Sequence, residues 1–265
     1  MEIVDFQAFG RQKVMEWLLQ DPIGNLFAVY DITRDPGNTS LHLAVEGRSI
    51  RGYLLQYGGL SYPAAIVRGE EAAGFALLDL LRGQKLVLFA DTHLSNLVKQ
   101  ELEVEAVLEE DLMSVERSSA RLSASGARRL TTEDAPKVAG LYSAFREEGE
   151  SPQSYAEWLG KHVVYGAFSG SRLVSVGGTW AETDGCWMLG GIYTSPDMRN
   201  RGLATTVTSA ITRDSLERTG KAALYVVSGN DPAIRVYEGI GYAKVGRRIW
   251  LDIGTGVKPL TSQSS

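Results

Sequence analysis

Residues Tyr193–Ala204 combine a proline stop, two arginines and a glycine just ahead of an apolar-periodic segment. The apolar run before Pro196 reads as a strand. Leu203, Val207, Ala210 and Ile211 follow at i, i+4, i+7 and i+8, one face of a helix. The first N–H groups of a helix have no partner within it and carry partial positive charge. A glycine there lets a ligand approach closely, and Arg199 and Arg201 add positive charge. This pattern suits a diphosphate, held by Arg199, Asn200, Arg201, Gly202, Leu203 and Ala204. The net charge of −5 gives no global pull on anions, so such a ligand needs a local site. The same balance argues against nucleic acid or an anionic membrane as partner.

The elements around this segment alternate. A helix is predicted from a cap at Thr132 through Val138, Leu141 and Tyr142, with Asp134 in its first turn. Val163–Phe168, Leu173–Trp180 and Cys186–Tyr193 read as strands, the last two joined by a hairpin through Thr183–Gly185, where Asp-Gly favours a tight turn. A helix over Arg199–Glu217, a buried strand over Ala222–Val227, a helix over Pro232–Ile240 ended by Gly241, and a strand over Tyr242–Asp252 complete this half.

Arg199-x-x-Gly202-x-Ala204 resembles the coenzyme A pyrophosphate loop, (Gln/Arg)-x-x-Gly-x-(Gly/Ala), of the GNAT superfamily of N-acyltransferases. The preceding Gly190–Pro196 resembles that family's splayed fourth strand. The downstream Tyr225–Tyr242 resembles its fifth strand and following helix. The three come in family order and at family spacing, and the resemblance runs from about Leu130 to Ile253. It implies an enzyme moving an acetyl group from acetyl-CoA to a primary amine of a small molecule or peptide, by direct attack in a ternary complex and without a metal. A splayed strand leaves backbone groups unpaired, and a pantetheine arm carries amides to pair with them, so Ile192, Tyr193 and Thr194 are the expected backbone contacts. By resemblance, Asn230 contacts the cofactor arm and Tyr237 protonates the departing thiolate. Many family members carry a glutamate early in the fourth strand as base. That place holds Met188 or Leu189 here, and no carboxylate lies between Cys186 and Tyr193. Glu182 and Asp184 are near, Asp184 as a turn residue; a backbone carbonyl with water, or an amine arriving neutral, also answers. A rival class is a CoA-binding sensor without turnover; a longer acyl group is the rival within enzymes.

The first half repeats the order of elements. Val14, Trp17 and Leu18 have helical spacing. Leu41–Val45, Gly52–Tyr57 and Ala64–Val67 read as a meander, and Glu70–Leu81 as a helix whose inward candidates are Phe75, Leu78, Ala72 and Leu81. Lys85–Ala90 reads as strand, Leu94–Leu102 as helix, and Val107–Val115 as strand. Asp21–Tyr30 is similar to the opening of N-terminal halves in two-domain members of the superfamily. The counterpart of the loop, Val67–Gly74, has no Arg-x-x-Gly-x-Ala, and Glu70 and Glu71 stand at the helix start, where they would repel a diphosphate. The small-polar stretch Ser118–Gly126 has the composition of a linker. The expected architecture is α/β (α+β): two tandem GNAT-like domains, each a mostly antiparallel sheet flanked by helices. Residues 1–117 form a degenerate domain without a cofactor site, 118–126 a linker, and 127–265 the catalytic domain. Monomer and homodimer are both open.

Other candidates read more simply as structure. Cys186 has no base beside it and suits a small buried residue. One cysteine permits no internal disulfide, which fits a reducing compartment. His42, His93 and His162 lack metal-ligand spacing. Glu147, Glu148 and Glu150 suit a solvated face, or a border of the acceptor pocket. No basic-then-apolar leader opens the sequence, and no apolar stretch is long enough to span a bilayer, so a cytoplasmic protein is expected.

Overall fold

A computed structural model describes residues 1–123, 126–143 and 151–257. Its strands are β1 (Glu2–Asp5), β2 (Thr39–Glu46), β3 (Ser49–Tyr57), β4 (Ala64–Gly69), β5 (Leu86–Asp91), β6 (Ala106–Glu116), β7 (Ala127–Arg129), β8 (Val164–Ser169), β9 (Arg172–Glu182), β10 (Trp187–Thr194), β11 (Lys221–Val227) and β12 (Ala243–Ile253). Its α-helices are α1 (Phe6–Phe9), α2 (Arg11–Leu18), α3 (Leu26–Arg34), α4 (Glu71–Leu78), α5 (Ser95–Glu101), α6 (Ala135–Ser143), α7 (Pro152–Lys161), α8 (Leu203–Thr219) and α9 (Asp231–Ile240).

Two compact units result. The first comprises Met1–Leu112 with the described residues from Gly246 onward, and the second comprises Met113–Val245. Strands β6 and β12 therefore each pass from one unit to the other. The segment 118–126, read from composition as a linker, falls inside the second unit by this division. There the backbone N–H of Arg121 bonds to the carbonyl of Ile240, and that of Ser123 to the hydroxyl of Ser209.

In the first unit the strands run in the order β1-β2-β3-β4-β5-β12. β4 and β5 pair parallel, and β12 closes on β5 antiparallel from Arg248↔Asp91 to Ile253↔Leu86. Alternation along the strands divides their side chains between two faces. Leu41, Leu43, Tyr53 and Leu55 pack with α2 and α3, while Ala44, Leu54, Val67 and Leu88 pack with α4 and α5. Phe75 and Ala72, expected inward, are exposed, Phe75 at 55%. The helix buries Ala73, Gly74, Leu77 and Leu78 instead, and a Cβ on Gly74 would already touch Leu94 and Leu97. The close-packed face excludes the large ring and the small residues define it.

In the second unit the order is β6-β11-β10-β9-β8-β7. Helices α8 and α9 cover one face through Val207, Ile211, Tyr237 and Ile240, over Leu189, Leu224 and Val226. Helices α6 and α7 cover the other through Val138, Leu141, Tyr142, Tyr155 and Leu159, over Val164, Leu173 and Val176. Each such large side chain contributes roughly 1.5–3 kcal/mol on burial. The first helical turn is capped by Thr131 rather than Thr132. Thr131 and Asp134 form a reciprocal capping box, and Arg128 and Lys137 pair with Asp134.

Candidate functional site

β10 pairs parallel with β11 only at Trp187↔Ala222, Met188↔Ala223 and Leu189↔Leu224. Beyond Leu189 both strands continue, β10 to Thr194 and β11 to Val227, without a ladder between them. The other edge of β10 stays bonded to β9 but shifts register between Gly190 and Tyr193. Gly191 has φ +62°, the left-handed conformation that glycine adopts without strain. The expected splay is therefore present, and a bulge produces it. Ile192, Tyr193 and Thr194 lie on this segment. Two of its carbonyls are held from the β9 side or the turn: Ser175 donates to Tyr193 at 3.1 Å, and Arg199 Nε to Thr194 at 3.4 Å.

Helix α8 begins at Leu203, four residues later than the pattern Arg199–Glu217 implies. Residues Arg199–Gly202 form an exposed turn instead. Asn200 has φ +60°, the one positive φ among described non-glycine residues, and Gly202 has φ +74°. Alternating hand over neighbouring residues turns successive N–H groups toward one side, a concavity suited to anions. Nothing lies within 4 Å of where a Cβ on Gly202 would stand, so the helix start is open. Leu203 and Ala204 supply its first helical N–H groups, with Arg199 and Arg201 exposed beside it. These residues fit a diphosphate.

Asn230 caps α9, its side-chain oxygen accepting from the N–H of Ala233 at 3.3 Å. Tyr237, further along that helix, is buried in the core cluster that also holds Leu189, Ile192 and Leu203. Burial pushes its hydroxyl well above the usual tyrosine range, so it stays protonated at neutral pH. Cys186 is buried and its thiol is pushed up to about 12 by burial, as an unreactive core residue. Glu182 is also engaged. Its Oε1 accepts from the N–H of Val163 at 3.1 Å and from the Thr179 hydroxyl, and lies 3.7 Å from His162 Nδ1. Burial opposes its ionisation, but His162, Thr179 and the Val163 N–H outweigh it and hold the carboxyl below its ordinary value. The acidic run Glu147–Glu150 lies outside the described residues. Among the described residues, no group of three or more His, Cys, Asp or Glu is placed to hold a metal, and no helix is long and apolar enough to cross a membrane.

The sequence reading missed a group of aromatic rings around the glycine pair. A Cβ on Gly191 would stand 3.1 to 3.3 Å from the Tyr142 hydroxyl, the Trp158 ring and the Trp180 ring. One on Gly190 would overlap the Trp180 indole. Tyr142 donates its hydroxyl to the Gly191 carbonyl and stacks between Tyr155 and Tyr193, at 5.3 and 5.7 Å. The signal was the Gly190-Gly191 pair, since adjacent glycines mark close approach by something else.

The fold is shared widely. A Drosophila protein matches with 18% identity over 81% of this chain and 79% of its own, at a TM-score of 0.65. An acetyltransferase of the GNAT family from Colwellia psychrerythraea matches with 10% identity over 96% and 100%, at 0.61. A tandem GNAT protein from the clavulanic acid biosynthesis pathway matches with 15% identity over 97% and 99%, at 0.60. No curated protein matches in sequence. At these identities the likeness is one of fold, and the fold is the tandem GNAT architecture. The FR47-like protein family matches residues 164–251, within which the splay, the turn and α9 all lie. That match and the shared fold together make the second unit similar to GNAT-related domains.

Proposed function

We propose that the chain is an N-acetyltransferase that moves the acetyl group of acetyl-CoA to a primary amine within a ternary complex. One observation carries this reading: the β10–β11 ladder ends at Leu189, and the same strand leads into an open, left-handed turn at the N-terminus of α8. The first feature leaves strand-edge groups for the amides of a pantetheine arm, and the second offers N–H groups for its diphosphate. Arg199 and Arg201 add charge, and Asn230 faces the arm. The family match over residues 164–251 supports the assignment. Bound acetyl-CoA supplies a thioester, an acyl carbon open to nucleophiles. The amine nitrogen forms the new C–N bond with its lone pair, the C–S bond breaks, and sulfur leaves with the bonding pair. Tyr237 gives its hydroxyl proton to the thiolate, and the proton that the nitrogen loses passes through water to restore the phenol. Glu182 is committed to Val163, Thr179 and His162, so the acceptor arrives as the neutral amine. The first unit binds no CoA. The protein works in the cytoplasm.

Calorimetry with acetyl-CoA, followed by CoA release with an amine panel, tests the proposal. Binding with release supports it. Binding without release for any amine favours the second reading, a CoA-binding sensor, which the missing fourth-strand carboxylate recommends. No binding removes both.

A further inference from the structure

Of the five tryptophans, Trp180 alone is exposed, at 39%. A β-bulge puts it there. In the β9–β10 ladder Ala181 pairs with Met188 and Thr179 with Leu189, so Trp180 is the unpaired extra residue between them. A bulge re-aims the side chain it carries and is common beside active sites. Three further features fix the ring. The bare Cα of Gly190 leaves the space that the indole occupies. Trp158, on α7, stacks against Trp180 at 5.4 Å and 27°. Trp158 is itself pinned, donating its Nε1–H to the Thr179 carbonyl at 3.0 Å. The bulge, the glycine and the anchored second tryptophan hold one indole beside the bend of β10, with part of its surface in solvent.

We propose that Trp180 is the acceptor platform: the amine acceptor carries an aromatic ring that stacks on the exposed indole and brings its amino group to Gly190–Gly191. This rests on the transferase reading above, which brings the acyl group to that part of β10. Rigid aromatic surface gives affinity for a flat ring with little ordering cost. A cationic occupant fits less well. A charge held over an indole keeps an amine protonated and unable to attack. Glu182, two residues along β9, faces Val163, Thr179 and His162.

The test compares 2-phenylethylamine with n-butylamine and spermidine as acceptors for the full chain with acetyl-CoA. The expected result is a kcat/KM for 2-phenylethylamine at least about 10-fold above that for n-butylamine. In Trp180→Ala that ratio should fall toward one while the acetyl-CoA Kd stays within about 2-fold, and Trp180→Phe should keep most of it. Equal or better use of n-butylamine or spermidine overturns the proposal, as does a ratio that survives in Trp180→Ala. If acetyl-CoA binds but no amine turns over, saturation-transfer NMR with 2-phenylethylamine in the presence of CoA decides. A signal lost in Trp180→Ala supports the platform, and no signal overturns it. Failure to bind acetyl-CoA at all is a separate result, which removes the transferase reading and the platform with it.

Discussion

β4 leading to α4 in the first unit and β10 leading to α8 in the second occupy equivalent places. Each strand pairs antiparallel with its predecessor and carries a facing glycine pair, Gly52↔Gly69 in one and Gly178↔Gly190 in the other. Each also pairs parallel with its successor. After the glycine pair they part. β4 ends at Gly69, and only Glu70 separates it from α4. β10 runs on to Thr194, and eight residues, 195–202, separate it from α8. The first unit has no counterpart to the turn at residues 195–202. Its strand ends are tied together as well: Arg68 Nε bonds to Asp91 at 2.9 Å, the Gly69 N–H bonds to the other oxygen of Asp91, and Arg68 also reaches Asp21 and Asn25. Glu70 stands at the N-cap position of the helix, its side chain paired with Arg51 rather than with the helix N–H groups. One strand–helix junction is open because it is long and bulged, and the other is shut because it is short and cross-linked by side chains.

Changes on either side of this contrast test it. The largest effect is expected from Gly202→Asp, which puts a charge and a Cβ at a left-handed position in the proposed diphosphate site. Acetyl-CoA affinity should fall by at least about 100-fold in calorimetry. The wild type should bind one acetyl-CoA per chain, and a titration giving two would put a working site in the first unit. Next, Tyr237→Phe should lower turnover by about 10-fold or more while the acetyl-CoA Kd moves less than about 2-fold. If Kd weakens and turnover does not change, Tyr237 binds rather than donates a proton. A third expectation concerns Asp31, buried in α3 of the first unit, whose carboxyl is pushed up to about 7 by burial and then by Asp35. Its folded value lies above its unfolded one, so its contribution to stability is complete below about pH 4 and is lost as pH rises toward 7. Asp31→Asn should therefore stabilise the protein at pH 8 relative to pH 4, by on the order of 2 kcal/mol in denaturant titrations. No pH dependence of the difference would mean that the carboxyl ionises freely. Asp134 in the second unit has the opposite sign. Its hydrogen bond with Arg128 leads, and with Lys137 and the Thr131 N–H overrides burial to hold its carboxyl below the usual range. Its stabilisation is present above about pH 4 and is lost below. The smallest change is expected from Arg68→Met, about 1–2 kcal/mol of destabilisation, because Asp91 and Asp21 keep partial access to water. Its acetyl-CoA stoichiometry should stay at one; a second site appearing would show that Arg68 closes the first unit.

Much of this contrast was readable in the residues. Pro196, Gly202 and the apolar spacing from Leu203 mark strand end and helix face, because proline and glycine change the backbone and periodicity changes the exposed side. The start of α8 was misplaced by placing Arg199 and Arg201 in the helix; Asn200 and Gly202, poor helix formers that tolerate positive φ, are the marks of the turn that precedes it. Helix α3 was not recognised as such: β-branched Val29, Ile32 and Thr33 lower its propensity, and its burial against Leu41 and Leu43 holds it. The bulge at Trp180 was hidden for a related reason. One extra residue breaks the two-residue alternation only locally, so Leu173–Trp180 read as a regular strand.

Strand β12 gives Ile249, Leu251 and Ile253 to the core of the first unit, beside Leu86 and Leu88. A ribosome makes the start of that unit first, yet its sheet lacks this strand until the second unit has been translated. Nascent chains commonly fold in order of synthesis. Here the part made first must wait in an incomplete form, with Leu86 and Leu88 lacking that cover, while the second unit is made in between. A chain stopped after Val245 is expected to expose the first unit to proteolysis, although every deleted residue follows the second unit in sequence.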